Sequence, residues 1–171
     1  MIDKFQDFNV RKRGCIMMKM KIPNWEEICS IIEPEDLYTP DEDHGIETNP
    51  HVTILYGFYA FVHVNDIMKI LRTFDRPKVY FKGIETFTDS PDFDVVMIKV
   101  ESEDLRKMNT ALSQLPNEET FPTYEPHCTI AYVKKGMAEK YKGMEIDFPK
   151  ELVLKDALYS SSDGIKITIG L

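Results

Sequence analysis

One seven-residue pattern occurs twice in this chain and limits what the chain can fold into. Pro50-His51-Val52-Thr53-Ile54-Leu55-Tyr56 and Pro126-His127-Cys128-Thr129-Ile130-Ala131-Tyr132 both read P-H-x-T-I-x-Y, 76 positions apart, in a sequence with four histidines. Each copy is a β-branched, aromatic run, which predicts a strand. Residues two apart on a strand point to the same face, so each copy sets an imidazole beside a hydroxyl. Two such strands facing one another call for two lobes about an approximate twofold axis. An ancient duplication would produce them, although the halves show no obvious repeat outside the motif.

Strict alternation puts His51, Thr53 and Leu55 on one face and Val52, Ile54 and Tyr56 on the other. In the second copy it groups His127, Thr129 and Ala131 against Cys128, Ile130 and Tyr132. The His/Thr faces are expected to line a groove floored by Leu55 and Ala131, and the opposite faces to pack as core. Cys128 therefore reads as a buried structural thiol and not a nucleophile.

The remaining elements follow from apolar spacing and turn residues. A strand is predicted from Gly14 to Ile22, then a helix over Trp25–Ile32 with Asn24 as its cap. An acidic, turn-rich loop over 34–50 leads into the first motif strand. A helix is expected over Val64–Phe74, strands over Val79–Thr88 and Phe93–Val100, and a helix opened by Ser102 and running to Leu115. A polar loop over 116–126 leads into the second motif, and residues 151–160 and 165–170 read as two closing strands. Mixed hairpins and helical crossovers of this kind predict an α+β fold. Residues 1–13 read as a flexible leader, and 14–171 as a single domain.

Histidine titrates near neutrality, so one imidazole can take a proton while another gives one. Phosphoryl transfer needs both acts, on opposite sides of phosphorus. It also needs donors for the non-bridging oxygens, and the hydroxyls of Thr53 and Thr129 stand two residues from each imidazole. His51, Thr53, His127 and Thr129 are thus the candidate catalytic residues. Tyr124 and Phe121, just upstream of the second motif, are candidates for stacking on a base or, equally, for packing or anchoring the loop. Lys19 and Lys21 read as the solvated face of the first strand, although one of them could reach the groove, and His63 reads as a surface or capping residue. His44 sits among Asp41, Glu42 and Asp43 without the ordered spacing of a hard-metal loop, so neither a metal nor another cofactor is expected.

The net charge of −8 argues against a broad basic surface for duplex nucleic acid. Three cysteines without metal-like spacing suit a reducing compartment. No long apolar run or signal-peptide pattern is present. A cytoplasmic protein without a membrane partner is expected, in the host cytoplasm if the source is viral.

On its two H-x-T motifs the sequence resembles the 2H phosphoesterase superfamily. That group includes bacterial 2′-5′ RNA ligase-like proteins, cyclic phosphodiesterases, viral 2′,5′-phosphodiesterases and phage anti-CBASS enzymes that destroy cyclic oligonucleotide signals. The resemblance implies a bilobal, LigT-like fold of two antiparallel or mixed sheets with outer helices and a central groove. It implies metal-independent phosphodiester cleavage, with His51 and His127 as the acid–base pair and Thr53 and Thr129 holding the phosphate. The ligase-like pattern often has a basic residue just after the second motif; here Tyr132 stands there, with Lys134 and Lys135 beyond. The expected partner is a small oligonucleotide or cyclic nucleotide, above all a nucleotide immune signal. Alternatives are an RNA-processing 2′,3′-cyclic phosphodiesterase or ligase-like enzyme, and a sponge that binds nucleotide without chemistry.

Overall fold

The computed structural model describes residues 13–118 and 123–171. The expected leader, apart from Arg13, and Phe121 lie outside the described residues. The chain runs β1 (Gly14–Lys19), α1 (Trp25–Cys29), β2 (His51–Phe58), α2 (Val64–Leu71), β3 (Lys78–Phe87), β4 (Phe93–Glu101), α3 (Glu103–Leu112), β5 (His127–Lys134), β6 (Glu151–Val153), β7 (Asp156–Ser160) and β8 (Lys166–Gly170), with 3-10 turns at Pro34–Asp36 and Glu139–Tyr141. One four-stranded sheet has the order β2-β1-β7-β8 and the other β5-β4-β3-β6. Every pairing is antiparallel. The motif strands β2 and β5 are thus edge strands, and they lie against each other where the sheets meet.

Local chemistry accounts for the helices. In α3, Leu105, Met108 and Leu112 are buried at helical spacing. The Ser102 hydroxyl accepts from the Leu105 N–H at 3.2 Å and donates to the Lys78 carbonyl, so the same side chain caps α3 and ties it to β3. Glu103 and Asp104 in its first turn suit the positive end of the helix dipole. The helix α1 is shorter than expected. Its Asn24 side chain does not cap it but donates to the Asp147 carbonyl at 2.7 Å.

The expected single strand over 151–160 is two strands in two sheets. β6 pairs with β3 and β7 pairs with β1, and the chain crosses between them at Leu154, which is buried in the core. The first sheet is therefore built from both ends of the chain. The helices are exchanged in a similar way. α1, which connects β1 to β2, packs on β5, whereas α3, which connects β4 to β5, packs on β2. A single apolar cluster receives Val52, Ile54 and Leu55 from β2 and Cys128, Ile130 and Ala131 from β5. Because the inner faces of both strands share that core, their His/Thr faces turn to the opposite, solvent-facing side.

Candidate active site

Both motif strands break the sheet register at the same residue. Ile16 pairs with Leu55 but Met17 with Thr53, leaving Ile54 unpaired; Val96 pairs with Ala131 but Met97 with Thr129, leaving Ile130 unpaired. Each H-x-T is thus followed by a β-bulge, which bends the strand and shifts its alternation by one. Strict alternation had put Leu55 and Ala131 in the groove and Tyr56 and Tyr132 in the core. The bulge reverses this. Leu55 and Ala131 are buried, and Tyr56 and Tyr132 continue the His/Thr face at half-buried positions.

The bulges are held across the lobes. The freed carbonyl of Ile54 accepts from Asn109 Nδ2 of α3 at 2.7 Å, and that of Ile130 accepts from the Glu47 N–H at 2.8 Å. Tyr124 adds a third tie, its hydroxyl donating to the Thr53 carbonyl at 2.9 Å. Of the two readings of Tyr124, this placement favours the anchor. Its ring packs against the core, burial raises its hydroxyl pKa, and its own carbonyl accepts from Arg106. The residue anchors the first motif from a position beside the second.

The two imidazoles are oriented alike. His51 Nδ1 lies 2.8 Å from the Asn49 carbonyl, and His127 Nδ1 lies 2.9 Å from the Glu125 carbonyl. A carbonyl oxygen can only accept, so each Nδ1 carries a proton, and in the neutral ring the lone pair is on Nε2. The proline before each histidine sets the frame. It has no N–H to give the neighbouring strand, and its carbonyl accepts from Met20 N–H in one copy (2.9 Å) and Val100 N–H in the other (3.2 Å). The sequence named both histidines but not the carbonyls two residues upstream.

The strands touch at Cys128. Its side chain is fully buried, and burial pushes the thiol pKa up to about 12, against a partly offsetting hydrogen bond from the His51 backbone amide. The thiol stays protonated and packs as core between the motifs. Glu47 is a site residue that the sequence did not single out. Its carboxylate stands 4.0 Å from His51 Nδ1, and its carbonyl accepts from the Trp25 indole N–H at 2.8 Å.

The acidic loop before β2 runs along the outer edge of β5, through Tyr38 N–H to the Tyr132 carbonyl (3.0 Å) and Tyr132 N–H to the Gly45 carbonyl (2.9 Å). His44 pins this loop. Its Nδ1 lies 2.6 Å from Asp41 Oδ1, and its ring stands edge-on to Tyr132 at 5.0 Å and to Tyr38 and Phe93 at 5.2 Å each. Lys134 and Lys135 are used structurally, on the Glu35 carbonyl and on buried Asp94 at 2.9 Å. His63 precedes α2 without a side-chain cap bond. Among the described residues there is no group of three or more His, Cys, Asp or Glu that could hold a metal ion. No helix among them is long and apolar enough to cross a membrane.

Paired imidazoles of one tautomer, each beside a threonine and joined at a strand–strand seam, are equipped for proton transfer around an anion. The comparisons with known proteins agree. The profile of the 2′-5′ RNA ligase superfamily matches residues 46–146, which include both motifs. No curated protein gives a significant sequence match. Among solved structures, Usb1 of Kluyveromyces marxianus with uridine monophosphate shares the fold with a TM-score of 0.65 at 8% identity, over 94% of this chain and 99% of that one. LigT of E. coli complexed with 3′-AMP does so with a TM-score of 0.58 at 11% identity, over 94% and 95%. A structure described as a phosphoesterase gives 0.52 at 13% identity, over 92% and 95%. With its family profile spanning both H-x-T strands and its fold shared throughout, the chain belongs to the 2′-5′ RNA ligase superfamily and is a phosphodiesterase of the 2H type.

Proposed function

We propose that this chain cleaves small oligonucleotides without a metal ion, by acid–base catalysis from His51 and His127, and that its substrates are cyclic or short linear nucleotide immune signals of the kind that viruses and phages destroy. The observation that carries the acid–base assignment is the shared tautomer of the two imidazoles on adjoining edge strands. One neutral imidazole takes the proton of the attacking oxygen on Nε2. The new P–O bond forms as the opposite P–O bond breaks, and the second, protonated imidazole gives its Nε2 proton to the leaving oxygen. The hydroxyls of Thr53 and Thr129 donate to the non-bridging oxygens as charge gathers there. With a free 2′-hydroxyl beside a 3′-5′ scissile phosphate, that hydroxyl attacks and the product ends in a 2′,3′-cyclic phosphate; otherwise water attacks. Each histidine supplies about 10²–10⁴-fold.

The acidic balance of the chain supports a compact ligand over a long polynucleotide. Base stacking by Phe121 is part of the proposal on its sequence position alone. So is a cytoplasmic setting, where the thiols of Cys15, Cys29 and Cys128 stay reduced.

A second reading, RNA end processing through 2′,3′-cyclic phosphates, is favoured by the description of the matched family and by the nucleotides held in the two neighbouring structures, uridine monophosphate and 3′-AMP. A panel of cyclic dinucleotides, 2′-5′ oligoadenylates and RNA ending in a 2′,3′-cyclic phosphate, incubated with the protein in excess chelator and read by mass, separates the readings. Cleavage of the signal nucleotides supports the proposal. Cleavage of the RNA ends alone replaces it with the second reading. A nucleotide that binds tightly and returns intact makes the protein a sponge and ends the catalytic reading.

A further inference from the structure

The pseudo-twofold relation extends past the H-x-T strands to their neighbours. On β1, Lys19 pairs with His51 and Met17 with Thr53; on β4, Lys99 pairs with His127 and Met97 with Thr129. The hydrogen bonds from Met20 N–H to the Pro50 carbonyl and from Val100 N–H to the Pro126 carbonyl make both Lys–His pairs the non-hydrogen-bonded kind, in which side chains on one face come closest. Met17-Met18-Lys19-Met20 and Met97-Ile98-Lys99-Val100 are therefore a second repeated segment, in register with the first. Both lysines are exposed on the His/Thr face, from which Lys19 could reach the groove. Neither ammonium is in an ion pair among the described residues.

The lysine heads sit outward of the imidazoles. Lys19 Nζ leans away from β2 to Thr168 Oγ1 on β8, at 3.3 Å. Lys99 lines a hollow of about 580 Å³ next to Glu125, together with Lys82 and Arg106, both of which are already paired with Glu101 and Glu125. A cation on each outer side of a phosphate held between two imidazoles stands where the next phosphate along a nucleotide chain would lie. In a chain of net charge −8, two cations placed alike about a pseudo-axis constitute a local device, not a basic surface.

We propose that Lys19 and Lys99 bind the phosphates on either side of the scissile one, so that the substrate class is an oligonucleotide or cyclic oligonucleotide with flanking phosphates and not a mononucleoside cyclic phosphate. This rests on the acid–base reading of His51 and His127. Lys19 and Lys99 are specificity residues, and the lysines' effect is confined to KM and to substrates that carry the extra charges.

The test compares Lys19→Gln, Lys99→Gln and the double variant on two substrates. One is a 5′-phosphorylated triadenylate, in 3′-5′- and 2′-5′-linked forms; the other is adenosine 2′,3′-cyclic phosphate, which has no flanking phosphate. For the triadenylate, KM rises about fivefold per lysine with kcat nearly unchanged, and the dependence of log kcat/KM on log salt flattens by about 0.7 per lysine. For the cyclic mononucleotide nothing moves. Lys19→Arg and Lys99→Arg restore the triadenylate KM. Equal losses on both substrates, or no loss on the triadenylate, overturn the lysine assignment and leave the histidines untouched. Should the parent chain cleave neither substrate, the acid–base reading is decided by the wider nucleotide panel, cyclic dinucleotides included. The lysines are then judged by triadenylate binding on the His127→Ala chain, where about fivefold weaker binding per lysine supports the assignment and unchanged binding overturns it.

Discussion

At His51 the ring is held by the Asn49 carbonyl at 2.8 Å, with the Glu47 carboxylate 4.0 Å from the same nitrogen. At His127 the holding carbonyl is that of Glu125, at 2.9 Å, and the charge nearby is the Arg106–Glu125 ion pair, while the cross-strand lysine, Lys99 here and Lys19 at His51, is common to both. The backbone device is the same in both: proline, histidine turned on the carbonyl two residues back, threonine, then a bulge at isoleucine. The side chains around it differ. The common part is written into seven residues and is indifferent to what surrounds it. Any division of labour between acid and base therefore comes from the surroundings, where the two halves have diverged.

Removing either imidazole tests whether the copies act as one unit. His51→Ala and His127→Ala each lower turnover by about 10²–10⁴-fold in steady-state assays, and the double variant loses little more than the worse single, as groups acting in one step do. Losses that multiply would mean that each copy works alone. Thr53→Ala and Thr129→Ala sharpen the same comparison one level down. Each costs about 10²-fold in kcat, and unequal costs would show which hydroxyl the developing charge favours.

Tyr124→Phe removes a tie that acts on only one copy. Loss of the hydroxyl bond to the Thr53 carbonyl costs about 1 kcal/mol, visible as a fall of about 2–4 °C in Tm, with kcat lowered less than tenfold. A Tm equal to that of the parent would show that the first motif does not depend on this contact.

The smallest effect concerns pH. Asp36 is buried at the base of the acidic loop, 2.6 Å from Lys140 Nζ and bonded to the Tyr141 hydroxyl. The lysine first, and the tyrosine next, hold its carboxyl below the ordinary 3.8. A lowered carboxylate stabilises the fold fully above that ordinary value. The contribution is lost as pH falls from there through the group's own lower pKa. Asp36→Asn should lower Tm by about 1–2 °C at neutral pH, with the difference from the parent shrinking as the medium is acidified. A difference independent of pH would remove the carboxylate from the account.

The motif strands, the element order as far as β5 and the Ser102 cap were all legible in the sequence, because each is local. β-branched runs, helical spacing and a capping hydroxyl need no knowledge of the rest of the chain. The bulges were not legible. A bulge is a count of two residues against one on a partner strand, and nothing in H-x-T-I announces it, so the side of Leu55 and Ala131 relative to Tyr56 and Tyr132 came out reversed. Register is invisible for the same reason, and it is register alone that sets Lys19 beside His51 and Lys99 beside His127. Tyr124 stayed open between stacking and anchoring because its aromatic character is local, whereas its partner, the Thr53 carbonyl, is 71 residues away. The split of residues 151–160 between two sheets was hidden because two strands bridged by a buried leucine keep an unbroken strand-like pattern.

A structure of the protein with a nucleoside vanadate, a mimic of the five-coordinate phosphorus of the transition state, tests the paired-imidazole site most directly. The prediction is one vanadium between the two motif strands, with Nε2 of His51 and Nε2 of His127 each within about 2.6–3.2 Å of an opposite apical oxygen and the two threonine hydroxyls on the equatorial ones. A vanadate reached by only one of the two imidazoles, or one seated away from both, would contradict it.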